Sequence, residues 1–100
     1  MIVCTGELDV HTAPHLDRQL GWALAIRPAP AILLVDLQEV SFMDSTGLNS
    51  LLTARREADR HGVLLALAHP GPQVTRLLEL TGTAALFPLS PRPPRPQHPD

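Results

Sequence analysis

The chain has 100 residues, of which 44% are hydrophobic and 18% charged, as is typical of one folded domain with a single core. Its formal net charge of -2 gives no field that would gather nucleic acid, and aromatic residues, at 3%, are too few for base-stacking platforms. No apolar run approaches the roughly 20 residues of a membrane helix. A single cysteine excludes an intrachain disulfide and suits a reducing cytosol. We therefore predict a cytoplasmic protein with neither nucleic acid nor membrane as partner.

The first part of the chain alternates short apolar runs with one amphipathic segment. Residues 1–5 form an apolar run that a glycine closes, which predicts a strand. From Thr12, a suitable N-cap, apolar residues recur at three- and four-residue spacing up to a double-proline break, which predicts a helix. The apolar run 31–35 is typical of a strand buried on both faces. A polar loop through Gln38 and Glu39 is expected to follow it.

The second part of the chain continues the alternation. Asp44 is placed to cap a second helix, which Gly62 ends. Residues 63–68 are again wholly apolar and predict another buried strand. The Gly-Pro pair at 71–72 opens a third helix. Residues 84–89 are compatible with a short last strand, and the proline within them favours an edge position.

This order of elements predicts an α/β fold with a small, largely parallel sheet against which helices pack. In such folds the functional residues lie beyond the carboxyl ends of the strands. We assign residues 1–89 to this domain. Residues 90–100 hold five of the eleven prolines and are expected to form a disordered or polyproline-like tail. A docking motif for an aromatic-lined groove is the alternative for this tail.

The string Asp44, Ser45, Thr46 and Gly47 lies where a buried strand and its loop lead into a helix, at the expected functional edge. Free backbone amides and the positive helix end make a phosphate on Ser45 acceptable there. Its charge of about -1.5 to -2 would repel a partner that accepts the neutral hydroxyl. The plainer alternative is that Asp44 or Ser45 only caps the helix and that Gly47 only permits close packing.

Three segments carry a family resemblance: Thr-Gly-Glu-Leu-Asp at 5–9, Val-Asp-Leu at 35–37, and Val-Ser-Phe-Met-Asp-Ser-Thr-Gly-Leu at 40–48. In identity, order and separation they resemble the anti-sigma factor antagonists of the STAS domain family. The likeness runs from about residue 5 to residue 86. The resemblance therefore implies a STAS-like fold for this part of the chain.

The resemblance implies a non-enzymatic bacterial regulator. In its unphosphorylated form it would bind an anti-sigma factor serine kinase and so release a sigma factor. The kinase would phosphorylate Ser45, with Thr46 as the weaker candidate, and a PP2C-type phosphatase would restore the active form. By the same resemblance the partner-binding residues are Asp9, Asp44, Ser45, Thr46 and Gly47. A constitutive STAS scaffold, or an accessory subunit of a stress-signalling assembly or lipid transporter, is the alternative.

The chain departs from the family pattern at both ends. Family members usually have another strand before the Gly-Glu-Leu-Asp string and a further helix at the end, and both are expected to be missing here. Either the start of the protein lies upstream of Met1, or this copy is shortened and only marginally stable. A shortened copy is expected to have an exposed sheet edge that is prone to self-association.

Three side chains outside the motifs are also candidates for binding a metal or a partner. His11 and His15 stand four residues apart, but neither cysteine nor carboxylate completes a zinc spacing, so we predict surface histidines and no metal or cofactor. Trp22 falls opposite the apolar face of the first helix, where it anchors a partner, covers a gap in the core or covers the site of the missing strand.

Overall fold

The computed structural model describes residues 1–89, in which three parallel strands form one sheet with helices packed against it. The elements are β1 (Ile2–Leu8), α1 (Ala13–Ala25), β2 (Ile32–Met43), α2 (Ser45–Arg60), β3 (Leu64–Ala68) and α3 (Pro72–Leu80), followed by a 3₁₀ turn at Ala84–Leu86. The predicted α/β class and parallel sheet are confirmed. The tail predicted for 90–100 lies outside the described residues.

The central strand β2 is longer than the sequence predicted. Its 12 residues run to Met43 without the expected loop through Gln38 and Glu39. The prediction was wrong because β1 continues alongside and pairs with this polar stretch, as in the Thr5–Glu39 pair, while the side chains of Gln38 and Glu39 face solvent. The end of β2 therefore extends beyond β3, whose last residue pairs with Asp36.

Strand β1 also extends further than expected, because it passes through the glycine at position 6 and ends at Leu8. Gly6 has a φ of +74°, and the register with β2 shifts between Gly6 and Glu7. A backbone conformation that disfavours side chains thus forms a bulge inside the strand, where the sequence predicted its end.

The last strand predicted for 84–89 is largely a 3₁₀ turn, in which the Leu86 amide donates to the Thr83 carbonyl at 2.9 Å. This turn directs Phe87 into the core, where it is 3% exposed. Pro88 has no amide to donate, and contact with the sheet is reduced to one bridge between Leu89 and Leu67. Burial of the aromatic ring therefore outweighs extension of the sheet.

One hydrophobic core joins the sheet to the helices. The apolar face predicted for the first helix is buried at Leu16, Leu20 and Leu24. Helices α2 and α3 bury Leu48, Leu51, Ala58, Val74 and Leu78 in the same core. Met43, the last residue of β2, has no exposed surface. Burial of such a side chain contributes about 1.5–3 kcal/mol and holds the end of β2 in place. In the described part of the chain, every helix is too short or too polar to cross a bilayer.

Candidate functional site

The ends of β1 and β2 lie side by side at the carboxyl edge of the sheet. Leu8 and Met43, the last residue of each strand, are paired in register. The Asp44 amide donates to the Leu8 carbonyl at 3.1 Å, one residue beyond this pair. Because both strands end at the same level, the loop after β1 and the start of α2 meet at one place.

Asp44 is the N-cap of α2, as predicted. Its backbone is extended, with φ -108° and ψ -172°, and its Oδ1 accepts from the amides of Thr46 at 2.9 Å and Gly47 at 3.2 Å. Two of the amides that a helix start leaves without intrahelical partners are thereby satisfied. The cap fixes the direction in which α2 begins.

Ser45 is the first residue of α2 and is exposed, whereas Thr46 is half-buried. The Ser45 hydroxyl is therefore the more accessible of the two candidate acceptors. It stands beside the capping carboxylate of Asp44 and at the positive end of a 16-residue helix. This arrangement offers a free hydroxyl to another protein at a position where a helix dipole favours added negative charge.

Asp9 shapes the loop after β1. Its Oδ1 accepts from the amides of His11 at 2.9 Å and Thr12 at 3.2 Å. The Thr12 hydroxyl donates to the Glu7 carbonyl at 2.8 Å and accepts from the Asp9 amide at 2.9 Å. Thr12 occupies the predicted N-cap position of α1 but makes no side-chain cap bond, because its hydroxyl is committed to the preceding loop. Asp9 itself remains half-buried beside the start of α2.

Gly47 packs directly against the end of β1. A Cβ built on Gly47 would lie 2.6 Å from the Leu8 carbonyl oxygen and 2.9 Å from the Leu8 Cβ. Both distances are shorter than van der Waals contact, so only glycine fits here without movement of the backbone. The absence of a side chain at residue 47 is what allows α2 to start so close to β1.

Gln73 of α3 holds the end of β2 from the other side, and the sequence analysis missed it. Its Oε1 accepts from the Met43 amide at 2.8 Å, and its Nε2 donates to the Met43 carbonyl at 2.8 Å. These bonds replace those that a further strand would make to Met43. A lone polar residue in the first turn of a helix carries no local signal for such a contact.

Two large apolar side chains lie exposed close in sequence to the ends of β1 and β2. Val10, in the loop after β1, is 61% exposed, and Phe42, near the end of β2, is 42% exposed. Exposed apolar residues with a polar rim mark protein-binding surfaces where they form one contiguous patch. The chemistry assembled at this edge therefore suits recognition: a hydroxyl, two carboxylates and two apolar contacts.

The remaining predicted side chains add no further group to this site. His11 and His15 are exposed, and in residues 1–89 nowhere do three His, Cys, Asp or Glu side chains come together as a metal site would require. Trp22 is 68% exposed, so it does not cover a gap in the core. Cys4 is buried, and this burial, with the charge of Asp36 adding to it, raises the pKa of its thiol to about 11.

Comparison with known proteins supports the resemblance drawn from the motifs. A family model described as the STAS domain matches residues 1–93. The chain is 33% identical over 85 residues to the anti-sigma F factor antagonist of Paenibacillus polymyxa, a match that covers 85% of this chain and 72% of that protein. It is 32% identical over 85 residues to the anti-sigma-B factor antagonist of Bacillus subtilis, covering 85% of this chain and 75% of that protein.

A solved structure agrees with these relatives. The crystal structure of an anti-sigma factor antagonist from Mycobacterium paratuberculosis superposes with a TM-score of 0.76 and is 32% identical in sequence. The match covers 89% of this chain and 74% of that one.

Proposed function

The chain belongs to the STAS domain family and is related to its anti-sigma factor antagonists, and we propose that it acts as such an antagonist, switched by phosphorylation of Ser45. In its unmodified form it binds an anti-sigma factor serine kinase, and the sigma factor that the kinase held is released. A PP2C-type phosphatase returns the phosphorylated protein to the binding form. The proposed place of action is the bacterial cytoplasm, where transcription is controlled.

The exposed hydroxyl of Ser45 at the start of α2 is the observation that carries this proposal. The helix dipole stabilises a negative charge at this position by about 0.3–1 kcal/mol, so a phosphate is compatible with the folded state. Asp44 already occupies the amides of Thr46 and Gly47. A phosphate on Ser45 would therefore add its charge beside an existing carboxylate and project it outward.

The surroundings of Ser45 support a docking role. Val10 and Phe42 supply apolar contact, and the Asp9 turn supplies a rigid polar rim. A partner that fits this surface would face the neutral Ser45 hydroxyl. Like charges brought together in an interface cost several kcal/mol, and a cost of about 3 kcal/mol weakens binding more than a hundredfold. The modification thus switches binding without unfolding the domain.

Phosphate transfer and binding can be tested together with purified kinase-type anti-sigma factors encoded by the same genome. With ATP labelled on the γ-phosphate, we expect label on the full chain and its loss in Ser45→Ala. Ser41→Ala is the matched control, because Ser41 is exposed on β2 and lies outside the helix start. Thr46→Ala tests whether the weaker candidate acceptor carries any of the label. In titrations, Ser45→Asp should bind at least tenfold more weakly, and Ser45→Ala as well as the unmodified chain.

Two results would refute the switch. One is incorporation of label into Ser45→Ala that equals the incorporation into the control Ser41→Ala. The other is a Ser45→Asp variant that binds the kinase as tightly as the unmodified chain. Persistent label would assign the acceptor to another residue. Tight binding by Ser45→Asp would favour a constitutive STAS scaffold, in which Ser45 is only the first residue of α2.

A further inference from the structure

A groove of about 360 Å³ runs along the surface between α1 and α2. The apolar part of its lining comes from Leu20, Leu24 and Ala54, and carboxylates stand on both walls, Asp17 on α1 and Glu57 on α2. It is separate from the Asp9 and Asp44 turns. Its size lies in the range of ligand sites, and its lining combines apolar surface with a few polar groups, as such sites do.

The Ser50 hydroxyl is an unused polar group in this groove. Ser50 is 6% exposed, the one polar residue among the buried side chains of residues 1–89. Its hydroxyl makes no hydrogen bond within that part of the chain, and every fully inaccessible side-chain polar atom there has a partner. The hydroxyl therefore keeps its access to the groove that Ser50 lines. This hydroxyl can donate to, or accept from, a polar group that enters the groove.

The two carboxylates of the groove differ in whether they form ion pairs. Glu57 pairs with Arg60 at 3.5 Å and with His61 at 3.0 Å. Asp17 forms no ion pair with any residue from 1 to 89. The free charge in the groove is therefore negative and lies on the α1 wall. A cation that enters beside Asp17 and reaches Ser50 would satisfy both groups.

Gly21 leaves room on the same wall. A Cβ built on Gly21 would meet nothing within 4 Å, and Gly21 lines the groove. Glycine in the middle of a helix is less favourable than alanine. The open space at this position is thus kept at a cost to stability.

We propose that this groove receives an arginine or lysine side chain, presented beside an apolar residue by the protein that docks at Ser45. The identity of that protein rests on the proposed function; the chemistry of the groove does not. Asn49, which lines the groove, lies one helical turn after Ser45, so the groove continues from the proposed interface. Because the groove is an open channel between two helices, a side chain anchored in a larger partner suits it better than a free small molecule, which pockets usually enclose.

The chemistry of the groove is tested first with n-butylguanidinium, which has the charge and shape of an arginine side chain. In heteronuclear NMR of the full chain we expect saturable shifts of the amides of Gly21, Ser50 and Ala54. Gly21→Leu fills the groove and should abolish them, whereas Ala25→Leu adds the same side chain on α1 outside the lining and should not. Asp17→Asn should raise the apparent dissociation constant at least threefold. Pentanoate, an anion of similar length, should leave these amides unshifted.

The proposal is overturned if the shifts rise without saturation or persist in Gly21→Leu. It is also overturned if the groove responds to n-butylguanidinium only after Arg92→Gln and Arg95→Gln, since the chain's own basic residues would then be the occupant. Thermal unfolding of Gly21→Leu, which should be at least as stable as the unmodified chain, verifies that a loss of shifts is not a loss of fold.

The partner is tested with the kinase titrations described above. We expect Gly21→Leu to weaken binding at least tenfold and Ala25→Leu to leave it unchanged. If no kinase binds the unmodified chain while n-butylguanidinium still saturates the groove, the assignment of the partner is overturned and the cation site stands. If the kinase binds Gly21→Leu as tightly as the unmodified chain, the groove is not part of that interface and the docking proposal fails.

Discussion

Gly47 and Leu8 approach so closely that a Cβ on Gly47 would lie 2.6 Å from the Leu8 carbonyl oxygen. Gly47→Ala should therefore destabilise the protein by about 1–3 kcal/mol, as overpacking of a filled site usually does. The loss outweighs the gain of about 1 kcal/mol that alanine offers over glycine within a helix. Urea denaturation of the two proteins measures the difference in unfolding free energy.

Gly21→Ala is the matched control, because the same substitution in α1 meets open space. It should stabilise the protein by about 0.5–1 kcal/mol. For a domain of this size that corresponds to a rise of several degrees in Tm. If Gly47→Ala stabilises the protein as Gly21→Ala does, the close contact at Gly47 is contradicted.

The Asp44 cap should be measurable by itself. Asp44→Ala removes the acceptor for the amides of Thr46 and Gly47 and should cost about 0.5–2 kcal/mol of unfolding free energy. Asp44→Asn keeps an acceptor oxygen at the same position and should retain most of that stability. Chemical denaturation at neutral pH compares the variants. Equal losses for alanine and asparagine would show that the charge, and not the hydrogen bonds, is what matters at this position.

Gln73 should contribute to stability through its two bonds to the Met43 backbone. Gln73→Leu leaves both Met43 groups without these partners and should cost about 1–3 kcal/mol. Gln73→Glu keeps the acceptor for the Met43 amide but loses the donor to the Met43 carbonyl. Its unfolding free energy should therefore lie between those of Gln73→Leu and the unmodified chain. Hydrogen exchange of the Met43 amide gives a local readout. Unchanged protection in Gln73→Leu would contradict the contact.

Stability at alkaline pH should report on Cys4. Burial, with Asp36 adding to it, raises the pKa of this thiol from 9.0 to about 11. Between those values the unfolded chain releases the proton while the folded chain keeps it. Stability is therefore full below pH 9 and falls by up to about 1.4 kcal/mol per pH unit as the pH rises towards 11.

The composition makes this measurement selective. All eight basic residues are arginine and there is no tyrosine, so the described side chains offer no other group with an ordinary pKa in that interval. Urea denaturation at pH 7.5, 9 and 10 gives the slope, and Cys4→Val is the control that should abolish it. A slope of the same size in Cys4→Val would assign the effect to another group.

Much of this architecture was predictable from local patterns. Apolar spacing predicted the buried face of α1, and an aspartate before the second helix predicted the cap at Asp44. These features depend on neighbours within a few residues, which the sequence displays directly. The exposed position of Ser45 follows from the same cap.

The failures lie where distant residues decide the structure. The polar stretch at Gln38 and Glu39 is a strand because β1 pairs with it, and the sequence of β2 alone gives no sign of that partner. Phe87 turns inward because the core offers it space. Gln73 contacts Met43 across 30 residues of chain. In each case tertiary packing overrides the local preference.

The contact between the end of β1 and the beginning of α2 has a consequence for how a signal would be read here. The Leu8 carbonyl accepts from the Asp44 amide and lies against Gly47, so a hydrogen bond and close packing join two segments more than thirty residues apart. Segments joined in this way have little room to change their relative position. A regulated change at this edge would then be a covalent change of an exposed group, and the backbone around that group would keep its arrangement.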